Sequence, residues 1–479
     1  MILPERFLEQ MKELLGQEYA AWLASYEEAP NQGLRVNTGK LSAGEWAQIS
    51  PYPFDPVPWT PNGSYVDGAE RPSRDPYYHA GLYYLQEPSA MAPAAVLPIQ
   101  PGDRVLDLCA APGGKSTELG ARLQGQGLLV SNDISASRAK ALLKNLELAG
   151  LANICVTSET PEKLADTFGP FFDKILVDAP CSGEGMFRKE PDLIKSWLER
   201  GPEEYAPLQR EILSQAVRML KPDGMLLYST CTFSPMEDED TVRWLLEREP
   251  GLELVPLAGW EGTCPGVDGS PVLRLFPHRL RGEGHFLALF RKKEEGDAGS
   301  ASGTKALAVP KTGITARAKA EADMDPRTGS GLTRQELRRL EQETDYLDWE
   351  RHLAAPIDRS RMMIREDMLY LLPEGFDRSW RLRYLRTGLL LGELKRQRFE
   401  PSQAAAMALK AGDFDTVLSL KREDERVIRY LKGETLALLP KEQAKKGWAL
   451  VCVDGFPLGW GKYAGASLKN KYYPGWRWQ

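Results

Sequence analysis

The chain has no apolar run approaching the roughly 18 residues that cross a bilayer. Its N-terminus, MILPERFLEQMKELLGQEY, carries acids and lacks a basic start followed by an unbroken apolar stretch, so it does not read as a secretion signal. A cytoplasmic location is the simplest expectation. Cysteine is sparse: six residues (Cys109, Cys155, Cys181, Cys231, Cys264 and Cys452) lie scattered with no CxxC pair, which argues against both a disulfide scaffold and a zinc knuckle. The four histidines (His79, His278, His285 and His352) also lack metal-ligand spacing, so no metal is expected. A cysteine with a task here should work as a thiolate. Positive charge is missing as well, since the net charge is -6, which on its face argues against a nucleic-acid partner. That figure averages over unlike segments. Residues 331–479 carry about six more bases than acids, so the basic balance sits at the C-terminal end.

At 479 residues the chain is too long for one compact core, and two or three domains are expected. Residues 293–330 are rich in Gly, Ala, Ser, Lys and Glu with almost no large apolar side chains, and read as a linker. Before it, apolar β-type runs alternate with helical patterns, the signature of parallel strands joined by crossover helices. The strands expected are 104–108, 128–132, 154–157, 174–177, 225–229 and 285–290, with helices over 137–148 and 207–220. This describes a doubly wound α/β sheet. Residues 1–75 read as a small accessory subdomain with a helical start over 5–23, an LRVNT strand at 34–38 and a Pro-rich stretch around 51–61.

The first strand of the sheet runs into VLDLCAAPGGKST (Val105–Thr117), and open α/β sheets bind cofactors at such a turn. Gly113 and Gly114 permit close backbone approach. The turn is neither GxGxxG nor GxxxxGK[ST], so it advertises neither a dinucleotide nor a nucleoside triphosphate. The second strand ends at Asp133, an acid placed to accept bonds from the two hydroxyls of a ribose, although an Asp there also caps helices. Arg138 lies one turn into the next helix, where it can meet a carboxylate or face solvent. The pair of Gly-rich turn and acid suggests a nucleoside-containing cofactor.

The fourth strand leads into ILVDAPCSGEGMFRKEP and the fifth into LLYSTCTFSPMEDED, which brings Asp178, Cys181 and Cys231 to the cofactor edge. A buried small hydrophobe is the ordinary reading of a single cysteine. Two at the ends of adjacent strands beside an aspartate point to chemistry. Carbon 5 of cytosine attacks a methyl sulfonium only after a nucleophile has added at carbon 6, and a thiolate both adds well and leaves again. The Asp178 carboxyl can bond the ring nitrogen or the exocyclic amine. The second cysteine can help take the carbon 5 proton or expel the first.

These segments, together with YYLQEPSAM at 83–91 and RLFPHRLRGEGHF at 274–286, resemble the Sun family of RNA (cytosine-5)-methyltransferases, and within it the RsmF-type bacterial 16S ribosomal RNA enzymes. The resemblance covers most of residues 1–292. It implies a seven-stranded, Rossmann-like class I methyltransferase domain over 76–292 that binds S-adenosylmethionine through Cys109, Ala110, Ala111, Pro112, Gly113, Gly114, Lys115, Asp133, Arg138 and Asp178. It further implies that Cys231 is the nucleophile and that Cys181 assists release. Chemistry alone does not order the two, because DNA cytosine-5 enzymes attack with the cysteine of the earlier Pro-Cys motif. Where family members often carry Asp or Asn for the adenine, this sequence reads TSETP, and Ser158 is the expected contact with Glu159 as the alternative.

Past the linker, 331–400 reads as an intermediate domain with a helix over 333–347, strands at 368–372 and 389–394, and a basic cluster of Arg381, Arg383, Arg386, Lys395, Arg396 and Arg398. Residues 401–479 resemble the PUA-like, β-rich module of the RsmF group. There Lys462, Lys469, Lys471 and Arg477 lie among Tyr463, Tyr472, Tyr473, Trp476 and Trp478, with no acid after Asp454, a mixture that suits phosphate contacts and base stacking. An aromatic core with solvated lysines reads the same way. Structured RNA held by this module and the 1–75 subdomain is the expected partner, 16S ribosomal RNA the leading substrate and transfer RNA the alternative. A dehydrogenase is disfavoured by the turn, and an amino-group methyltransferase by DAPC at the fourth strand. A non-catalytic ribosome-assembly factor would need neither cysteine.

Overall fold

The computed structural model describes residues 2–294, 331–342 and 344–478. The stretch 293–330, expected as a linker, lies outside them apart from Lys293 and Glu294. Among the described residues no helix is long and apolar enough to cross a membrane.

The N-terminal part begins with α1 (Glu5–Leu15) and α2 (Tyr19–Ser25), which bury Phe7, Met11 and Trp22. A small antiparallel sheet follows, in the order β2-β3-β1-β4, from β1 (Gly33–Val36), β2 (Asp55–Pro56), β3 (Gly63–Tyr65) and β4 (Tyr83–Gln86). Helix α3 (Ala43–Ile49) starts where the Ser42 hydroxyl accepts the Glu45 N–H at 3.1 Å and the Glu45 carboxylate accepts the Ser42 N–H at 2.7 Å. That reciprocal cap sets Trp46 against Tyr83 and against Tyr77 of α4 (Pro76–His79), and α5 (Ala92–Val96) leads on to the central sheet.

The central sheet is built from β5 (Arg104–Asp107), β6 (Leu128–Asn132), β7 (Ile154–Thr157), β8 (Phe172–Asp178), β9 (Leu220–Thr230), β10 (Leu252–Val255), β11 (Leu273–Leu275) and β12 (His285–Lys292). Its order is β10-β12-β9-β8-β5-β6-β7, with β11 paired to β12. The expected strands fall inside these elements or within a residue of them. The reason is burial on both faces: Leu106, Val130, Ile175, Leu226 and Tyr228 fill one layer while Val105, Leu129, Leu176 and Leu227 fill the other. Helices α6 (Gly114–Arg122), α7 (Ala136–Leu148), α8 (Pro161–Phe168), α9 (Leu193–Met219) and α10 (Glu239–Arg248) cover the sheet. Helix α9 begins well before the expected 207 and is broken at Gly201, whose φ of 57° no helix accommodates. Strand order reverses between β5 and β8, and the crevice at their C-terminal ends is where such sheets place ligands.

The C-terminal half does not hang free. It contains one sheet in the order β13-β14-β16-β17 and one in the order β18-β20-β21-β22-β19. These comprise β13 (Met362–Arg365), β14 (Met368–Leu371), β16 (Leu389–Lys395), β17 (Arg398–Pro401), β18 (Val417–Leu420), β19 (Leu436–Ala437), β20 (Trp448–Val453), β21 (Phe456–Ala464) and β22 (Ser467–Asn470). Between them in sequence, β15 (Tyr384–Thr387) leaves its neighbours and adds to β7 as an antiparallel edge strand of the central sheet. Arg386 pairs with Glu147 at 2.5 Å and Arg383 with Glu159 at 3.0 Å. Two members of the expected basic cluster thus fasten this strand to the methyltransferase-type sheet, and Trp380 packs on Phe168 and Phe171 beside them.

The aromatic tail is also put to structural use. Tyr463, Tyr472 and Trp476 are 3%, 1% and 8% exposed and belong to the same apolar cluster as Trp46, Tyr77 and Tyr83 of the N-terminal part. They are core residues rather than a stacking platform, because β21, β22 and the chain end fold their inner face onto that cluster. Trp478 stacks on His79 with ring centres 5.5 Å apart, and Tyr473 stays half exposed. The contact is locked by Arg422, whose Nη2 lies 2.6 Å from Oδ2 of buried Asp75, and by Tyr77, whose hydroxyl donates to Asp454 at 3.1 Å.

Removing one partner of a fully buried pair costs about 3–5 kcal/mol, and the 28% exposure of Arg422 puts this pair at the lower end, about 3 kcal/mol. Asp75→Ala is expected to lower stability by about that amount in chemical denaturation, whereas Lys421→Ala, which removes the exposed Lys421–Asp454 pair, leaves it unchanged within error.

Candidate active site

The loop after β5 wraps the crevice through backbone bonds. Ala110 N–H donates to the Asn132 carbonyl at 2.8 Å, Arg138 Nη2 to the Ala111 carbonyl at 2.9 Å and Asn145 Nδ2 to the Pro112 carbonyl at 2.8 Å. Gly113 has a φ of 110°, a conformation that glycine tolerates and that turns the chain into α6. Gly114 opens α6 and Lys115 lies on its first turn. Cys109 sits inside this loop, where burial and then the carboxyls of Asp107, Asp178 and Asp133 push its thiol far above the ordinary range. It packs against the sheet core as an inert side chain.

Three acids end adjacent strands. Asp107 is fully buried, accepts the Ser116 hydroxyl at 2.6 Å and leaves Oδ1 without a partner among the described residues; burial raises it to about 7. Asp133, 3% exposed, accepts the Ser135 N–H at 2.9 Å and has Arg138 Nη2 3.4 Å away. Asp178 accepts Lys115 Nζ at 2.6 Å and the Ser229 hydroxyl at 2.7 Å. Burial raises its carboxyl, but the Lys115 ammonium and the nearby His285 ring outweigh that and hold it well below the usual carboxylate range. Carboxylates around a crevice, one of them with a buried unpaired oxygen, fit a cationic ligand that also carries vicinal hydroxyls. S-adenosylmethionine, with its sulfonium, ammonium and ribose, has that chemistry. Ser158 lies at the end of β7 with its N–H given to the Arg383 carbonyl at 3.0 Å and its hydroxyl to the Ile134 carbonyl at 3.2 Å. Glu159 is taken up by Arg383.

Past the ends of β8 and β9, Cys181 and Cys231 meet with Sγ atoms 3.3 Å apart, and Cys231 N–H points at Cys181 Sγ at 3.4 Å. Both are partly exposed. The bond to Cys231 and burial hold the Cys181 thiol well above its ordinary value. Behind them lies a buried polar lattice that the sequence motifs did not announce. Ser182 N–H donates to Glu237 at 2.9 Å and Gln209 Nε2 to the same carboxylate at 2.8 Å. Thr232 Oγ1, Phe233 N–H and Trp197 Nε1 all donate to Glu184, at 2.9, 3.1 and 2.9 Å. These bonds clamp the two cysteine-bearing loops to each other. Gly185 and Gly284 bring a third segment against them: Gly185 N–H donates to the Cys231 carbonyl at 2.9 Å and Gly284 N–H to the Gly185 carbonyl at 3.0 Å. A side chain at Gly284 would strike the Phe233 ring at 2.5 Å.

The expected site residues thus gather at the C-terminal ends of neighbouring strands of the central sheet, Cys109 partly exposed and Ser158 buried. Sequence reasoning missed Ser229, which the two-residue spacing from Cys231 along β9 would have placed on the same face. It also missed His285, Glu184 and Glu237. Among the described residues no group of three or more His, Cys, Asp or Glu side chains is arranged to hold a metal ion.

Comparisons with known proteins agree with this geometry. Residues 94–291 match the family described as 16S rRNA methyltransferase RsmB/F. Residues 3–88 match the N-terminal domain of 16S rRNA methyltransferase RsmF, 348–409 the RsmF rRNA methyltransferase first C-terminal domain, and 417–478 the methyltransferase RsmF PUA domain. The chain is 32% identical over 98% of its length to the ribosomal RNA small subunit methyltransferase F of Cronobacter sakazakii, covering 95% of that protein. It is 31% identical to the protein of the same name from Escherichia coli K12, with the same coverage of both chains. A crystal structure of a methyltransferase homolog protein from Pyrococcus horikoshii superposes with a TM-score of 0.50 at 28% identity, covering 60% of this chain and all of that one.

Asp107 supplies a test of the crevice. Its folded value of about 7 lies above the ordinary 3.8, so the stability it gives is full below about pH 4 and is lost as pH rises through 7. Asp107→Asn should therefore be more stable than the parent by about 2–4 kcal/mol at pH 8, with the two converging near pH 4 in thermal unfolding.

Proposed function

Because the chain belongs to the RsmF-type 16S ribosomal RNA methyltransferases, we propose that it transfers a methyl group from S-adenosylmethionine to carbon 5 of a cytosine in small-subunit ribosomal RNA, in the cytoplasm, through a covalent bond from Cys231. The observation that carries this reading is the pair of thiols 3.3 Å apart beside Asp178. Neither a hydride transfer nor methylation of an exocyclic amine needs two facing thiols.

The cofactor supplies an electrophilic methyl on a sulfonium. Asp133 takes the ribose hydroxyls, the Gly113–Gly114 turn lets the backbone approach, and the Ser158 hydroxyl retains lone pairs to accept from the adenine amine. Asp178, kept ionised by Lys115, still has acceptor capacity on both oxygens and receives the exocyclic amine of the target base. Cys231, having given its thiol proton to water, adds through Sγ to carbon 6, forming the C–S bond while the ring π pair moves toward carbon 5 and the ring nitrogen. Carbon 5 then forms its bond to the methyl as the methyl–sulfonium bond breaks. Loss of the carbon 5 proton to water restores the double bond and breaks the bond to Cys231 Sγ. The Cys181 S–H, 3.3 Å from Cys231 Sγ, donates to the departing Cys231 thiolate and stabilises it as a leaving group. The target base is taken out of its stack to reach this crevice. The RNA around it lies on the joined N-terminal and PUA-type parts, where Lys469, Lys471 and the half-exposed Tyr473 face outward.

Purified protein, small-subunit ribosomal RNA and methyl-labelled cofactor test the assignment. Cys231→Ala should lose methyl transfer by more than about a thousandfold and form no adduct. Cys181→Ala should accumulate a protein–RNA adduct stable to denaturing electrophoresis. A Cys181→Ala enzyme that turns over normally without adduct would remove the release role. Labelling of transfer RNA instead of ribosomal RNA would move the substrate.

A further inference from the structure

His285 opens β12. The antiparallel register pairs Phe286 with Thr230 and Leu287 with Ser229, and His285 and Cys231 are the residues next in line just past the end of β9. Directly opposed residues in such a pair project to the same face, so the imidazole stands on the face that carries Cys231 and the Ser229 hydroxyl. It is 3% exposed, yet among the described residues neither ring nitrogen has a hydrogen-bond partner. Nε2 lies 3.9 Å from Asp178 Oδ1, too far for a hydrogen bond. Buried polar groups in folded proteins are paired as a rule, and one left open beside reacting groups needs an explanation. The Gly185–Gly284 backbone contacts hold β12 against the Cys231 loop, so the ring is fixed in place without using its nitrogens.

Resting on the cytosine-5 reading, we propose that His285 is a base-reading residue. Its Nε2–H and the Asp178 carboxylate together grip two neighbouring polar atoms on the edge of the target cytosine. The carboxylate accepts from the exocyclic amine, and the imidazole donates to the adjacent ring nitrogen. The 3.9 Å gap between the two groups suits partners that sit side by side on one ring. Uracil presents the reverse pattern, a carbonyl and a ring N–H, so the same pair selects against it. When Cys231 adds to carbon 6, negative charge grows on that ring nitrogen. The bond from His285 therefore strengthens in the transition state, the condition under which a contact accelerates a reaction.

The test uses the full chain with the parent, His285→Phe and His285→Gln side by side. It follows single-turnover methyl transfer to small-subunit ribosomal RNA, cofactor affinity by calorimetry, and thermal unfolding. The Phe variant is expected to bind S-adenosylmethionine as the parent does and to transfer the methyl about a hundredfold more slowly. The Gln variant, which keeps an N–H donor, should recover at least about a third of the logarithmic loss. A Phe variant within twofold of the parent overturns the proposal. So does a Gln variant no faster than Phe, or cofactor affinity lost in step with rate in both, since either leaves only a packing role. A parent that binds the cofactor but methylates no ribosomal or transfer RNA overturns the underlying cytosine-5 reading, whatever the variants do.

Discussion

The Lys115–Asp178 contact decides what this crevice can do. Burial pushes the Asp178 carboxyl up, toward a neutral acid that would not complement a cationic cofactor and would offer a base amine fewer acceptor sites. One ammonium at 2.6 Å reverses that balance, and the Ser229 hydroxyl fixes the carboxylate's other oxygen. The lysine comes from the first turn after the Gly-rich loop, the acid from the end of β8 and the serine from β9. The same bonds that set the charge therefore tie together the cofactor loop and the strands that carry Cys181 and Cys231. The Glu184 and Glu237 lattices hold those thiols at a separation that a single base can bridge.

The architecture around the crevice is more continuous than a chain with a long polar segment at 293–330 implies. β15 extends the central sheet beyond β7, and one apolar cluster joins Trp46 and Tyr83 of the N-terminal sheet to Tyr430 and Tyr472 near the chain end. The C-terminal half reaches the central domain along one edge and the N-terminal part through Arg422 and Asp75. These parts are already ordered relative to one another, so a ligand spanning them would not expend binding energy on aligning them.

Much of this was legible in the sequence, and the reasons are local. Strands buried on both faces appear as unbroken apolar runs, so β5, β6 and β7 could be bounded to within a residue, whereas β8 and β9 run on beyond the expected 174–177 and 225–229. The turn at Cys109–Gly114 and the DAPC and STCT segments announced Asp178, Cys181 and Cys231 because their chemistry is concentrated in a few adjacent positions. The segment RLRYLRT looked like a basic patch because ion pairs to Glu147 and Glu159 exist only in three dimensions. The aromatic tail misled for the same reason: composition does not say which face of β21 and β22 is inward. His285 was invisible because a histidine signals a site by what stands across the sheet from it, and that depends on register.

The central claim is that the thiol of Cys231 places a methyl group on carbon 5 of a ribosomal cytosine. Bisulfite sequencing of small-subunit ribosomal RNA tests it most directly, in cells lacking this gene and complemented with the parent or with Cys231→Ala. The account predicts a cytosine whose protection from conversion vanishes in the deletion, returns with the parent and stays absent with Cys231→Ala. A protection profile that never changes, or one that Cys231→Ala restores, would contradict it.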